Sequence, residues 1–299
     1  MGRVCASCSR ELPRTSYTGN QWSKPVGVSR CAACVHGHQI DIPVAPSNSA
    51  GRHNNASRAV FEDDALEYPF AEGAFRWVAK GTYTHGEREG QACVCKWFKS
   101  GSVFSKDYFT LDIKAAAKAL EIVDLFNNMG IVTKTVKINV PAVWTGLEGS
   151  KLKGVKMIVE PFIQNYEKFN SNTGWVDEST TWGMVMQALS HFSYHVTRGN
   201  FVLCDLQGGI YQKEVVLSDP VILSQTEEFG VTDLGPKGIR SFFSQHECNP
   251  YCRDHSHKPA NPRQFYEPQE GSLMRMRRTV PTSLARPAAS SRLREISEY

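Results

Sequence analysis

The chain has 299 residues, of which 41% are apolar and 21% are charged. This length and composition exclude global disorder and predict one large domain together with a small one. No apolar run approaches the roughly 18 residues of a membrane-spanning helix, and the N-terminus carries no hydrophobic signal stretch. We therefore expect an intracellular protein, cytoplasmic or nuclear, whose nine cysteines serve as thiols and metal ligands rather than as disulfides.

The net charge of +4 is unevenly distributed. Residues 1–58 carry seven Lys and Arg against two Asp and Glu, and residues 253–299 carry nine against five. The middle of the chain is therefore acidic, with 18 basic against 23 acidic side chains. The basic ends would suit contact with a nucleic acid or an acidic protein. A pair of solvated tails is the alternative, and we favour it.

Two Cys-x2-Cys pairs lie near the N-terminus, at Cys5 and Cys8 and at Cys31 and Cys34. This spacing is typical of a structural zinc site with four thiolates, in which the ion replaces the core that so short a segment cannot build. The sequence therefore predicts a small zinc-binding module over residues 1–42. A protein or nucleic-acid contact and a purely structural appendage are both open as its role.

Composition also indicates the two segments on either side of the central part of the chain, residues 66–253, which we call the body. Pro, Ser, Gly and Asn dominate the stretch after the module, which predicts a linker over residues 43–65. Five prolines and a run of small residues predict a largely disordered tail over residues 254–299. The body, residues 66–253, is left as the large domain.

The first predicted elements of the body are strands over residues 74–83 and 91–98. Lys96 lies in the middle of the second, on the same face as apolar side chains, where a charge is costly unless it meets an anion. The alternative is an edge-strand lysine that reaches water. Arg76, on the first strand, would supply a second cation.

A helix over 108–128, strands over 136–140 and 155–163, and a helix over 181–196 follow.

Two carboxylates follow apolar strands in the next segment. Asp205 ends the strand 201–204, and Asp219 ends a returning strand, so that a β-hairpin would bring the two together. Phosphoryl transfer uses one carboxylate at the attacking hydroxyl and another at Mg²⁺. Aspartates that merely cap turns are the alternative.

Two further motifs close the body. A glycine-bearing loop contains Gly230, Asp233 and Gly235, which is a weak phosphate-loop pattern. His246, Cys248 and Cys252 then offer three zinc ligands within seven residues. His191, which has apolar neighbours in sequence, is the candidate for a fourth ligand, and a packed core histidine is its alternative role.

These motifs, in this order and spacing, resemble the alpha-kinase family of atypical protein kinases. The resemblance rests on Val202–Gly208, Ser218–Pro220, the glycine loop, and the run from Phe242 to Cys252, and it extends upstream to Arg76. It implies an α+β, two-lobed, kinase-like fold and transfer of the ATP γ-phosphate to Ser or Thr of a protein substrate. One departure is Asp233, where many members carry Asn.

The resemblance also implies roles for individual residues. Lys96 and Arg76 would bind the ATP phosphates, Glu160 would lie at the lobe hinge near the adenine, and the loop with Gly230, Asp233 and Gly235 would contact nucleotide or substrate. The catalytic and metal-binding residues it implies are Asp205 as catalytic carboxylate, Gln207 beside it, Asp219 on Mg²⁺, and His191, His246, Cys248 and Cys252 on a structural zinc.

The sequence thus predicts an active kinase that uses ATP, Mg²⁺ and two zinc ions. The competing hypothesis is a pseudokinase that binds ATP and recruits a protein or nucleic acid through its N-terminal module. A zinc hydrolase is disfavoured, because four protein ligands leave the ion no open position.

Overall fold

A computed structural model describes residues 2–6, 11–32, 35, 50–73, 75–99, 108–253, 256–271, 275–276 and 293–298. The N-terminal module contains two short paired strands, a 3-10 turn and one helical turn. Their bounds are β1 (Arg3–Val4), β2 (Glu11–Leu12), the turn Arg14–Ser16 and α1 (Gly19–Trp22). Cys8 and Cys34 lie outside the described residues, so the predicted four-cysteine site stays a prediction.

The body contains most of the regular structure. Its first half comprises β3 (Gly51–Arg52), β4 (Ala56–Glu62), α2 (Asp63–Glu67), β5 (Ala71–Glu72), β6 (Arg76–Gly86), β7 (Ala92–Phe98), α3 (Tyr108–Asn128), β8 (Thr135–Asn139) and β9 (Ala142–Gly146). The second half comprises β10 (Lys156–Pro161), β11 (Glu167–Lys168), α4 (Thr181–Val196), β12 (Phe201–Cys204), β13 (Gln207–Ile210), β14 (Glu214–Leu217), β15 (Val221–Ser224) and α5 (Gly235–Gln245). Two strands follow the body, β16 (Arg275–Met276) and β17 (Leu293–Glu298).

The first lobe is an antiparallel sheet that closes on itself. Its order is β16-β5-β6-β4-β17-β9-β10-β7, and β7 also pairs with β6, so that six strands form a ring. The interior is filled by buried aromatic and sulfur-bearing side chains, among them Phe61, Tyr83, Trp144 and Met157. Cys93 and Cys95 belong to the same core, as expected of cysteines in apolar strands.

The second lobe combines a five-stranded sheet with three helices. The sheet order is β11-β13-β14-β8-β3, in which β8 lies parallel to both β14 and β3. Helices α3 and α4 pack on this sheet through a shared core that includes Phe126, Val185 and Leu217. The pair β12–β15 is covered by α5, whose Phe242 and Phe243 are buried.

Two predictions about the flanks of the body are wrong for the described residues. The expected linker contains β3, β4 and α2, and β4 contributes Ala59 and Phe61 to the first core. A register shift in the β4–β6 pairing between Ala56 and Ala59 breaks the strict alternation by which a strand is recognised.

The expected disordered tail is also ordered where it is described. In residues 256–271, the amides of Tyr266 and Gln269 donate to the hydroxyls of Ser241 and Thr173, at 3.1 and 3.0 Å. Strand β16 pairs with β5, and β17 lies between β4 and β9. The contacts described for these segments are hydrogen bonds of their backbone groups, which composition does not indicate.

Candidate functional site

A cleft of about 330 Å³ lies between the closed sheet of the first lobe and the hairpins of the second. Its volume falls within the usual range of small-molecule sites. Its lining includes seven of the nine residues that the sequence singles out for catalysis, nucleotide and Mg²⁺, namely Arg76, Lys96, Glu160, Asp205, Gln207, Asp219 and Gly230.

Lys96, on β7, is the buried cation of this cleft. Its side chain is 2% exposed, and its Nζ lies 2.6 Å from Asp219 Oδ2 and in contact with Glu160 Oε1. The Nζ also donates to Ser218 Oγ at 3.1 Å. Burial by itself would lower the pKa of Lys96, but the two carboxylates raise it above its usual value, so the lysine stays charged. Lys96 therefore meets anions and does not reach water from an edge.

The two carboxylates that share Lys96 differ in their ionisation. Burial and the charge of Asp219 raise the pKa of Glu160, although Lys96 opposes the rise. Burial acts in the same direction on Asp219, but Lys96 and Arg76 outweigh it and lower the pKa of Asp219. The shared lysine thus favours the charged form of Asp219 more than that of Glu160.

The double hairpin brings Asp205 and Asp219 to the same cleft, as predicted. Strand β13 pairs with β14, and Cys204 at the end of β12 pairs with Val221 at the start of β15. The hairpin is so close that a Cβ on Gly208 would come within 1.9 Å of a backbone carbonyl of β14. Glycine is therefore required at position 208, three residues after Asp205.

Both aspartates adopt a left-handed backbone, with φ of 56° at Asp205 and 50° at Asp219. Such a conformation is uncommon outside glycine and persists where the surrounding structure imposes it, as at functional sites. Asp205 lies between β12 and β13, and Asp219 lies between β14 and β15. The left-handed conformation turns the side chain of each aspartate away from these adjoining strands.

Asp205 is held by two neighbours. Its Oδ1 lies 2.9 Å from Lys168 Nζ, and its Oδ2 accepts a hydrogen bond from Gln207 Nε2 at 3.1 Å. Burial raises the pKa of Asp205, and Lys168 opposes that rise. The remaining oxygen of Gln207, Oε1, is buried and has no hydrogen-bond partner among the described residues. An orphaned carbonyl oxygen beside two carboxylates fits a Mg²⁺ ligand.

Lys168 was not assigned a site role from the sequence, because it lies in a polar stretch with no apolar pattern around it. Asp112 on α3 was also missed. It forms an ion pair with Arg76, whose guanidinium also lies 4.8 Å from the ring centroid of Phe98. This pair fixes the direction of Arg76 at the wall of the cleft.

The glycine loop divides into two parts. Gly230 lines the cleft, whereas Asp233 and Gly235 are not among the described lining residues. The Asp233 carboxylate accepts hydrogen bonds from Ser224, from Phe229 and from Gly235, at 2.6 to 3.2 Å. The residue that departs from the family pattern thus holds the loop from inside.

A second, smaller cavity of about 80 Å³ adjoins the cleft. Glu160 borders both, and the smaller cavity is walled mainly by apolar side chains, among them Val78, Val94 and Phe162. It lies where the chain leaves β10 of the first lobe and runs through residues 162–166 to β11 of the second. We call residues 162–166 the connector. The carboxylate of Glu160 contacts Lys96. The position of Glu160 near an adenine stays a prediction.

His191, His246, Cys248 and Cys252 form a group whose ligand atoms all lie within 4.8 Å of one another. His191 Nδ1 and His246 Nε2 are 3.0 Å apart, and Cys248 Sγ is 3.7 and 3.8 Å from these nitrogens. A tetrahedral zinc ion, with bonds of about 2.0–2.1 Å to nitrogen and about 2.3 Å to sulfur, sets its ligands about 3.3–3.8 Å apart. The donor set and the two sulfur–nitrogen distances therefore fit zinc, while the two nitrogens lie slightly closer together than around a bound ion.

The orientation of His191 supports the same reading. Its second ring nitrogen, Nε2, lies 3.0 Å from the carbonyl oxygen of His257. The tautomer that donates this hydrogen bond leaves Nδ1 free for a metal ion, as is usual for histidine ligands. His257 belongs to the segment after the body, which thus supports the metal-binding group.

In the N-terminal module, Cys5 and Cys31 are buried side by side with Tyr17. The amide of Cys31 donates to Cys5 Sγ at 3.2 Å. This contact brings together one cysteine of each Cys-x2-Cys pair, as a shared ion would require. Within the parts of the chain that the structure describes, no helix is long and apolar enough to cross a membrane.

A closed sheet that carries a buried lysine, facing a second lobe that presents two carboxylates, defines a protein-kinase-like domain. Residues 71–252 match the alpha-kinase family. The chain belongs to this family.

Relatives and solved structures agree. The chain is 33% identical over 227 residues to alpha-protein kinase 1 and 29% identical over 190 residues to alpha-protein kinase vwkA, both of Dictyostelium discoideum. The matches cover 74% and 62% of this chain but only 16% and 30% of those relatives. The alpha-kinase domain of myosin-II heavy chain kinase A, in complex with AMP-PNP, has a TM-score of 0.54 at 21% identity over 66% of this chain and 94% of that chain. At that identity the likeness shows the fold alone.

Proposed function

We propose that this chain is an ATP-dependent Ser/Thr protein kinase of the alpha-kinase type. The observation that carries the proposal is the convergence of Lys96, Asp205, Gln207 and Asp219 on one cleft of nucleotide size. Family membership and a fold shared with a domain solved in complex with AMP-PNP support it.

In this proposal, each end of the cleft has a distinct task. Lys96 and Arg76 bind the phosphates, and the small apolar cavity beside Glu160 takes the adenine. Asp219 and the free oxygen of Gln207 would hold Mg²⁺, which would neutralise phosphate charge. Asp205 accepts the proton of the attacking hydroxyl, and Lys168 holds its carboxylate in place.

We also propose two zinc sites and two domains. His191, His246, Cys248 and Cys252 would hold a structural ion that ties α4 to the segment after α5. Cys5, Cys8, Cys31 and Cys34 would hold the other in a module over residues 1–42, and a protein or nucleic-acid contact through this module remains open. The kinase domain would extend from about residue 50, rather than 66, and would include the described segments after residue 253.

The experiment that tests the function compares Asp205→Asn with wild type. We expect wild type to transfer phosphate from labelled ATP to itself or to a protein substrate, and the variant to bind ATP but lose transfer by about 10³-fold or more. Asp177→Asn is the control, because among the described residues the Asp177 carboxylate accepts hydrogen bonds from Ser179 and Thr180, just before α4, and Asp177 does not line the cleft. Equal transfer by wild type and Asp205→Asn would overturn the assignment.

ATP binding by wild type without any transfer would instead favour the pseudokinase. That alternative is motivated by the basic N-terminal region and by Asp233, and the inward hydrogen bonds of Asp233 give the second motive no support.

A further inference from the structure

An arginine that precedes residues 71–252, the region matched by the family, binds the backbone of the connector. Arg52, on β3, donates from Nη1 and Nη2 to the carbonyl oxygen of Phe162, at 3.2 and 3.3 Å. The Nη1 also lies 3.4 Å from the carbonyl oxygen of Pro161 and 3.2 Å from Asn139 Oδ1. Asn139 in turn donates to the Pro161 carbonyl at 2.9 Å. A cation of the second lobe thus binds the backbone just as it leaves the first.

The connector is also held at its next residue. The amide of Gln164 donates to Tyr211 Oη at 2.9 Å. A Cβ on Gly209 would come within 2.4 Å of the Gln164 carbonyl oxygen, so the β13–β14 hairpin packs directly on the connector. Phe162 and Gln164 are therefore fixed on either side of Ile163.

The two residues that share the peptide group between these contacts, Phe162 and Ile163, both line the small apolar cavity. Ile163 lines that cavity, and its N–H makes no hydrogen bond to any described residue. The carbonyl of the same peptide group, that of Phe162, is the one that accepts from Arg52. A cation at the oxygen of an amide withdraws electron density and makes its N–H a stronger donor.

We propose that Arg52 is a positioning residue for the adenine end of the nucleotide. It fixes the Phe162–Ile163 peptide group and polarises it, so that the Ile163 N–H donates to a ring nitrogen of the base. This inference rests on the proposed function, since it assumes that the cavity takes the adenine. Arg52 itself does not touch the nucleotide.

The test separates the two ends of the ligand. Binding of ATP, adenosine and inorganic tripolyphosphate to the full chain is measured for wild type and for Arg52→Gln. We expect Arg52→Gln to weaken ATP and adenosine by the same factor, about tenfold, and to leave tripolyphosphate unchanged. In the kinase assay, KM for ATP rises by about the same factor, while kcat stays within about twofold.

Two further variants complete the design. Arg58→Gln is the matched control, because Arg58 is an exposed arginine on the neighbouring strand β4 and is not among the cavity residues. Arg52→Lys keeps the charge but not the planar fork, so we expect it to recover part of the loss.

The outcomes are distinguishable. Equal weakening of tripolyphosphate, or unchanged binding of adenosine, would overturn the role of Arg52 and leave the kinase assignment intact. If wild type binds neither ATP nor adenosine, the proposed function itself fails. Unchanged tripolyphosphate binding shows that the variant is folded.

Discussion

Replacing Lys96 by methionine should destabilise the free protein in a pH-dependent way. The substitution keeps the length and packing of the side chain in β7 but removes the only positive charge that contacts Glu160 among the described residues. Glu160 is 3% exposed, so water cannot replace the lysine. Removing one partner of a buried ion pair costs about 3–5 kcal/mol, and we expect a loss of this size near neutral pH.

The sign of the pH dependence follows from the pKa of Glu160. That pKa is already raised by burial, and without Lys96 it rises further. A raised pKa in the folded state stabilises the fold fully below the unfolded value, about 4.3, and this stability is lost as pH rises through the folded value. The loss of stability in Lys96→Met relative to wild type should therefore grow by up to about 1.4 kcal/mol per pH unit. This growth begins at the folded-state pKa of Glu160 in wild type and ends at its higher pKa in the variant.

Urea unfolding followed by tryptophan fluorescence, at about pH 5 and about pH 8, measures this difference. The double variant Lys96→Met, Glu160→Gln should recover much of the loss and show little pH dependence. Lys99→Met is the control, because Lys99 pairs with Glu72 in a partly exposed contact that is worth no more than about 1 kcal/mol. A loss below about 1 kcal/mol for Lys96→Met, or one equal at both pH values, would refute the reasoning.

Three more outcomes are expected. Cys248→Ser should lower the zinc content of the purified chain by one ion, whereas Cys93→Ser should not; unchanged zinc in both would contradict the His–Cys site. Asp233→Asn should cost about 1–3 kcal/mol in unfolding free energy, because the amide nitrogen of the asparagine would face the N–H of Phe229 or Gly235. A neutral effect would show that the loop does not need all four hydrogen bonds that the carboxylate accepts. Ile296→Pro should speed hydrogen exchange in β4 and β9, because proline removes a ladder hydrogen bond from β17, the strand between them. Ile296→Val should leave the exchange unchanged. Equal exchange in both variants would argue against the position of β17 between β4 and β9.

Much of the body could be predicted because its signals are local. Helices α3 and α4 were predicted with the bounds that the structure gives, since long amphipathic patterns with clear ends leave little choice. A hairpin that brings Asp205 and Asp219 together was predicted, but the predicted pairing of residues 201–204 with 214–217 is wrong, since 201–204 pairs with β15 and 214–217 pairs with β13. Three members of the candidate metal-binding group of the body were predicted from their type and spacing, and the fourth, His191, from its apolar neighbours.

What was missed depends on contacts between distant residues. Lys168 and Arg52 are polar residues in polar surroundings, and only the fold brings one to Asp205 and the other to the connector. Strand β4 was hidden by its irregular pairing. The role expected of Asp233 came from a family motif, and the motif does not say on which side of the loop the carboxylate lies.

Strand β17 also has a consequence for how the chain folds. It pairs Ile296 with Ala59, more than two hundred residues earlier, and it fills the gap between β4 and β9. Contacts so far apart in sequence form slowly, because the intervening chain must lose its freedom first. The rest of the first lobe must therefore assemble with two unpaired strand edges facing each other. During that interval the gap can accept the same strand from a second copy, which would make exchanged dimers the characteristic misfolded product of this chain at high concentration.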